Sequence, residues 1–282
     1  LRKTDCRIHY HIKPNATFLA GIKTERIFTR DKEAKIILSN GQNLVASLVV
    51  GADGRNSRVR QDAKINVRKK SFGQKALAFA VTHPNPHNNV STEIHHKGGP
   101  FTLVPLPNYQ GIPSSAVVWM ESSIEAIRLL ELKKTEFEKE MTARSCCVLG
   151  QLKLATKRSI WPIVSQYAKR LNSQRVALVA EAAHVLPPIG AQGLNMSLKD
   201  IKILVDLAAK AYDIGAFDVL EQYHKARIRD IRLRVNGISL LNQTSLAKNQ
   251  MLRDMRSYGI NFVHSSKPIR KSLMRLGLGI RV

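Results

Sequence analysis

Two stretches, 48–60 and 175–200, constrain this chain most: in each, a run with buried-strand character ends near a carboxylate and passes through turn residues into a helix. In the first, Leu48-Val49-Val50 leads into Gly51-Ala52-Asp53-Gly54-Arg55-Asn56-Ser57-Arg58-Val59-Arg60. In the second, Arg175-Val176-Ala177-Leu178-Val179-Ala180 delivers Glu181, followed by Ala182-Ala183-His184 and a loop containing Pro187, Pro188 and Gly190. The loop runs on through Ala191-Gln192-Gly193 into a long apolar helix pattern from Leu194 to Ala211. Short apolar and β-branched runs bounded by turn residues read as strands buried on both faces. A carboxylate at a strand end can accept hydrogen bonds from ribose hydroxyls, and Arg58 and Arg60 offer forked donors to phosphates. The Pro-Gly loop permits close backbone approach, and a helix N-terminus presents unpaired amides to an anion or a ring carbonyl. Taken alone, the Asp-Gly turn reads more simply as an ordinary turn with solvated arginines. The two stretches together read as a place where a polyol and a heterocycle lie against backbone.

The rest of the chain divides around these stretches. From Phe18 to Val50 the pattern is extended, with Asn40-Gly41 between apolar runs as a hairpin signal. Residues 72–120 carry short apolar runs separated by Pro84-Asn85-Pro86 and Gly98-Gly99-Pro100, which predicts an antiparallel sheet. Helical spacing covers Ser122–Met141, an extended stretch runs from Leu152 to Val164, and three or four helices follow Phe217, with breaks at Gly237, Gly259 and Pro268. The fold class expected is α/β (α+β). Its divisions are a partial dinucleotide-type domain over 1–70, an antiparallel-sheet domain over 71–165, a second motif and helix over 166–215, and a helical region over 216–282.

Charge and composition narrow the function classes. The chain has 282 residues and a formal net charge of +24. Segments 1–70, 71–150, 151–213 and 214–282 hold 16, 7, 9 and 13 basic groups against 6, 7, 4 and 4 acidic ones, so the excess spares the middle. Such an excess first points to nucleic acid. With 6% aromatic residues and no zinc-like spacing, however, no nucleic-acid partner is expected. The basic run Arg227, Arg229, Arg232, Arg234 reads either as a solvated helix face or as one laid on anionic lipid. No window has the roughly 18 apolar residues of a membrane span, and Leu1–Asp5 has no signal-peptide core. Cys6, Cys146 and Cys147 lack CxxC spacing and read as small buried hydrophobes in a reducing compartment. The location expected is cytoplasmic, with peripheral contact at the inner membrane. Because the chain begins at Leu1 rather than Met, its natural start is expected to lie elsewhere.

In order and separation, the two stretches resemble the downstream flavin motifs of the class A flavoprotein aromatic hydroxylases. Gly51-Ala52-Asp53-Gly54 with Ser57, Val59 and Arg60 is similar to the family's Asp-Gly motif. Ala180-Glu181-Ala182-Ala183-His184 with Pro188, Gln192, Gly193 and Asn195 is similar to its Gly-Asp motif. Within that family the remainder resembles the ubiquinone-biosynthesis hydroxylases, through Gly99–Leu106, Ala116–Trp119, Lys157–Ile163, Leu220–Arg227, Leu240–Leu246 and Met274–Leu278.

The resemblance implies a truncated FAD-binding Rossmann-like domain, an antiparallel-sheet substrate domain and a helical C-terminus. It implies an FAD-dependent monooxygenase in which NAD(P)H reduces the flavin and a prenylated phenol is hydroxylated with oxygen in ubiquinone biosynthesis. The cofactor carries such chemistry, so no catalytic side chains are expected. By resemblance, Asp53, Gly54 and Arg58 lie near the flavin or its reductant. Glu181 takes the ribityl-binding position, and Pro188, Gly190, Gln192, Gly193 and Asn195 lie along the flavin ring. His184 reads as a histidine fixed by packing, with no second ionisable group beside it.

Three departures from the family pattern stand out. Ala180-Glu181 replaces Gly-Asp, Ala191 replaces the first glycine of Gly-Gln-Gly, and no GxGxxG follows a strand. If position 191 needs a left-handed backbone, its alanine costs on the order of 1 kcal/mol. The departures give the expectation of a truncated or decayed copy, or one piece of a split gene, with impaired FAD affinity. The alternative they leave is a non-catalytic remnant that docks on other quinone-biosynthesis proteins or on a membrane surface.

Overall fold

The computed structural model describes residues 16–96, 98–189 and 192–246, with positions 265, 266 and 268. The Asn40-Gly41 signal makes its hairpin. Gly41 takes φ +83°, the amide of Leu38 donates to the Gln42 carbonyl, and the Asn40 side chain accepts from the Gln42 amide. This turn joins β2 (Ala34–Leu38) to β3 (Asn43–Ala46), and β1 (Thr24–Thr29) completes a three-stranded antiparallel sheet.

Beyond β4 (Val49–Gly51) and α1 (Arg58–Asp62), the short apolar runs of 72–120 fall in antiparallel strands as expected, joined by one at Thr92–His96 that no run marked. They are β5 (Val67–Thr82), β6 (Thr92–His96), β7 (Gly99–Tyr109) and β8 (Ile112–Ser122). Gln110 and Gly111 are both left-handed, as a two-residue hairpin between β7 and β8 requires. With β9 (Lys153–Leu154), β10 (Ser159–Ala168) and β13 (His184–Val185) they make a seven-stranded sheet in the order β13-β10-β5-β8-β7-β6, with β9 on β5. One face buries Leu77, Phe79, Phe101, Leu103, Val117 and Trp119 beneath Leu129, Phe137 and Met141.

The helix read over 122–141 is instead two, α2 (Ser123–Glu131) and α3 (Lys134–Arg144), separated by extended backbone at Leu132 and Lys133. Arg158 stabilises the break by donating to the carbonyls of Leu129 and Leu132, each at 2.9 Å. Cys146 and Cys147 are exposed rather than buried. Both are left-handed, and their amides close the last turn after α3 by donating to the Ala143 and Thr142 carbonyls. Cys6 lies outside the described residues.

The second stretch supplies β12 (Val176–Leu178), paired with β11 (Asn172–Ser173) on one side and parallel to β4 on the other, in register Val176↔Val49, Ala177↔Val50 and Leu178↔Gly51. The short α4 (Ala180–Ala183), α5 (Gln192–Ala208) and α6 (Phe217–Leu246) follow. Helix α6 runs through Gly237 without the expected break. A mid-helix glycine costs on the order of 1 kcal/mol relative to alanine, but Ile231, Val235 and Ile238 anchor both flanks in buried positions. Gly259 lies outside the described residues, as do Met274–Leu278. No helix among the described residues is long and apolar enough to cross a membrane.

Candidate functional site

The fold brings the two motifs together at the carboxyl ends of β4 and β12. Leu178 pairs with Gly51, and the amide of Val179 donates to the Gly51 carbonyl at 3.0 Å. Glycine is required at 51 by packing, since a Cβ there would stand 2.8 Å from Leu178 Cδ2 and 2.9 Å from Val59 Cγ1. Past the strand, Asp53 Oδ2 accepts from the amides of Arg58 at 2.7 Å and Val59 at 3.1 Å, while Ser57 Oγ accepts from Arg60 N at 2.9 Å. These bonds satisfy amides that a helix start leaves without carbonyl partners. Asp53 is therefore first a cap of α1, and Gly54 supplies the left-handed turn at φ +82°.

The two arginines diverge. Arg58 is exposed and pairs with Asp62 at 3.0 Å. Arg60 is buried, so the sequence reading of it as a phosphate donor is corrected. Its guanidinium donates to the Ala182 carbonyl and to the Arg55 carbonyl, each at 2.9 Å, which staples the first motif to the second. Burial lowers the Arg60 pKa, and the nearby Asp53 charge works in the opposite direction.

At the end of β12 the chain turns through Ala180 in the left-handed region, φ +53°. This is the position where the family pattern has glycine, and the left-handed backbone is itself a source of strain for alanine. Position 191, where a strained alanine was anticipated, lies outside the described residues, as does Gly190. A non-glycine residue in the left-handed region at position 180 costs roughly 1–2 kcal/mol. Ala180→Gly is accordingly expected to stabilise the chain by on the order of 1 kcal/mol in urea denaturation, the gain being partly offset by the freer unfolded chain. A neutral or destabilising result would contradict the strain.

Glu181 projects outward with its side chain 56% exposed, and one carboxylate oxygen lies 3.8 Å from Arg55 Nε. Pro188 is half-buried, while Gly193 and Asn195 are exposed in the first turn of α5. No atom lies within 4 Å of a Cβ built on Gly193. The carboxyl ends of the parallel pair therefore carry a carboxylate, Glu181, and a guanidinium, Arg55, side by side. That donor set fits a polyol chain and the polar edge of a heterocycle. By contrast, a cleft of about 790 Å³ lined by Lys64, Lys169, Arg170, Arg175 and Phe217 opens at the amino ends of β4 and β12, whereas open α/β sheets bind ligands at the carboxyl ends.

The sequence reading missed what holds this loop. His184 is buried and does have an ionisable partner: its Nε2 lies 2.7 Å from Asp200 Oδ2, which also accepts the Ala180 amide at 3.2 Å. Asp200 Oδ1 accepts from Arg227 Nε at 2.7 Å, and both side chains are fully buried. Arg227 Nη1 reaches Asp230 at 2.5 Å, and Asp230 also accepts from Arg234 and Lys199. Burial alone would raise the Asp230 pKa, but these three donors outweigh it and hold the carboxyl well below the usual range. The signal available was an aspartate inside the apolar pattern of α5, since buried carboxylates occur almost only with partners. The basic run of α6 is thus split. Arg227 and Arg234 point into the fold, whereas Arg229 and Arg232 are exposed, the latter over the Tyr167 ring at 5.9 Å.

With this geometry in place, the family described as FAD binding domain matches residues 23–235. The chain is 32% identical over 273 residues to the ubiquinone hydroxylase UbiL of Rhodospirillum rubrum, covering 94% of this chain and 62% of that protein. It is 25% identical over 255 residues to 3-demethoxyubiquinol 3-hydroxylase of Escherichia coli, covering 89% of this chain and 64% of that protein. The chain thus spans somewhat over three fifths of these relatives' length. Among solved structures, p-nitrophenol 4-monooxygenase PnpA of Pseudomonas putida superposes with a TM-score of 0.72 at 18% identity, covering 93% of this chain and 67% of that one.

Proposed function

The chain belongs to the FAD-binding domain family, and from that premise we propose that it binds FAD and serves in hydroxylating a prenylated phenol of the ubiquinone pathway, with NAD(P)H as reductant. The observation that carries this reading is the joining of the two motifs at the carboxyl ends of β4 and β12, where Glu181 and Arg55 stand side by side. When bound, FAD supplies the redox chemistry. The chain's own residues bind and orient it. Glu181 accepts from ribityl hydroxyls, the segment from Pro188 to Asn195 lines the ring, and Asp53 with Gly54 shapes the turn beneath. Arg58 provides a cation for the flavin or its reductant. The test is titration of the purified chain with FAD, followed by flavin fluorescence, and then NADH and NADPH oxidation with and without a short-chain prenylated phenol. Saturable binding and oxidation stimulated by the phenol are expected; no binding at saturating FAD overturns the reading.

A second reading, a non-catalytic family member with weakened FAD affinity, draws support from the strained Ala180 beside Glu181. Flavin binding without NAD(P)H oxidation would favour it. In either case the exposed Arg229 and Arg232 support peripheral contact with anionic lipid, where a polyprenylated substrate or other quinone-pathway proteins would be met.

A further inference from the structure

The second motif is held from behind by Asp200 of α5 and by the side chains of α6 linked to it. At one end, Asp200 accepts the Ala180 amide and lies beside His184; at the other, Arg234 Nη1 donates to Gln192 Oε1 at 2.8 Å. Between them runs an unbroken series: Asp200 to Arg227 at 2.7 Å, Arg227 to Asp230 at 2.5 Å, and Arg234 Nε to Asp230 at 2.9 Å. Arg227, Asp230 and Arg234 lie three and four residues apart on one face of α6, which places them on adjoining turns.

We propose that Asp200 of α5, together with Arg227, Asp230 and Arg234 of α6, forms a positioning device that fixes Ala180 on one side of the loop and Gln192 on the other and so sets flavin affinity through residues that do not touch the flavin. The flavin part of this proposal rests on the function proposed above. Two observations favour positioning over plain packing. Packing alone would be met at least as well by apolar side chains, because a fully buried ion pair rarely stabilises more than a hydrophobic replacement of similar volume. And the left-handed Ala180 persists only where its surroundings over-determine it, which the Asp200 bond to its amide does.

The experiment uses the full chain and the variant Arg234→Met, which keeps the stem of the side chain and removes the last link, with Lys225→Met as a control on an exposed position of α6. Amide hydrogen exchange without FAD is read over segments 180–192 and 70–82, alongside the FAD dissociation constant and the urea midpoint. Expected for Arg234→Met are at least tenfold faster exchange at both ends of 180–192, unchanged exchange over 70–82, and at least fivefold weaker FAD binding with a urea midpoint close to wild type. Unchanged exchange at 180–184 would overturn the proposal, as would a loss of FAD binding no larger than the loss of global stability. If Arg234→Met does not fold, Gln192→Ala cuts the same link from the other side and is read by exchange alone. A wild-type chain that binds no FAD would defeat the flavin reading, while the exchange measurement would still decide whether α6 positions the segment.

Discussion

Asp200→Ala is expected to cost about 3–5 kcal/mol of stability, because removing one partner of a buried ion pair leaves the other charge uncompensated. The site makes the cost severe: Asp200 and Arg227 are both fully buried, and the same carboxylate serves His184 and the Ala180 amide. Tyr223 packs beside them with its hydroxyl on the Leu178 carbonyl, and burial pushes its pKa well above the ordinary value, with the Asp200 charge adding to the rise. Urea denaturation at neutral pH measures the loss. The double variant Asp200→Leu/Arg227→Met, which removes both charges and keeps volume, is expected to regain most of it. A single variant within 1 kcal/mol of wild type would mean that the pair is not buried as described.

Phe137→Ala should cost a similar amount, about 3–5 kcal/mol, by a different route: the loss of a large aromatic side chain and the cavity it leaves. Phe137 is fully buried where α3 meets the seven-stranded sheet. It meets the Phe79 ring edge-on at 5.1 Å, lies 5.9 Å from the Trp119 ring, and carries the Arg158 guanidinium at 4.6 Å. Its removal therefore also loosens the arginine that caps α2. This cluster is separate from the one beneath β4 and β12, so FAD affinity measured well below the unfolding temperature is expected to change less than twofold. A thermal midpoint near wild type would contradict the cavity argument; a large loss of affinity would mean that the two clusters are coupled.

How legible these features were in the sequence follows from what makes each of them. The Asn40-Gly41 hairpin and the antiparallel character of 72–120 are decided by residues close in sequence, and the turn residues and short apolar runs showed them. The break at Leu132–Lys133 was hidden because its stabilising partner, Arg158, comes from 26 residues away. Gly237 misled in the opposite direction: a local helix breaker lost to long-range packing of its neighbours. At the candidate site the motif spacing singled out Asp53, Glu181 and the residues from Pro188 to Asn195, and the structure brings the strands that lead to Asp53 and Glu181 into parallel register. It could not assign Arg60, whose role as a staple depends on carbonyls of both motifs. Nor could it connect Asp200 on one helix with Arg227 on another. Buried ionic links between distant elements leave only the trace of a charge in an apolar pattern.

The parallel pairing of β4 with β12 has a consequence for how the molecule is made. Antiparallel neighbours such as β7 and β8 join through two residues, whereas β4 waits for a partner that leaves the ribosome only after residues 52–175 have been synthesised. Each doubling of such a loop adds only about 0.6 kcal/mol to closure, so distance does little to the final stability. Its effect is on time, since pairings remote in sequence form late. In the folded chain the intervening sheet is the spacer that carries the end of β10 back toward β4. Until then the first motif has its own cap, Asp53 on α1, and no floor. The site is therefore completed only once the second motif has been made, when the Arg60 guanidinium can reach the Ala182 carbonyl.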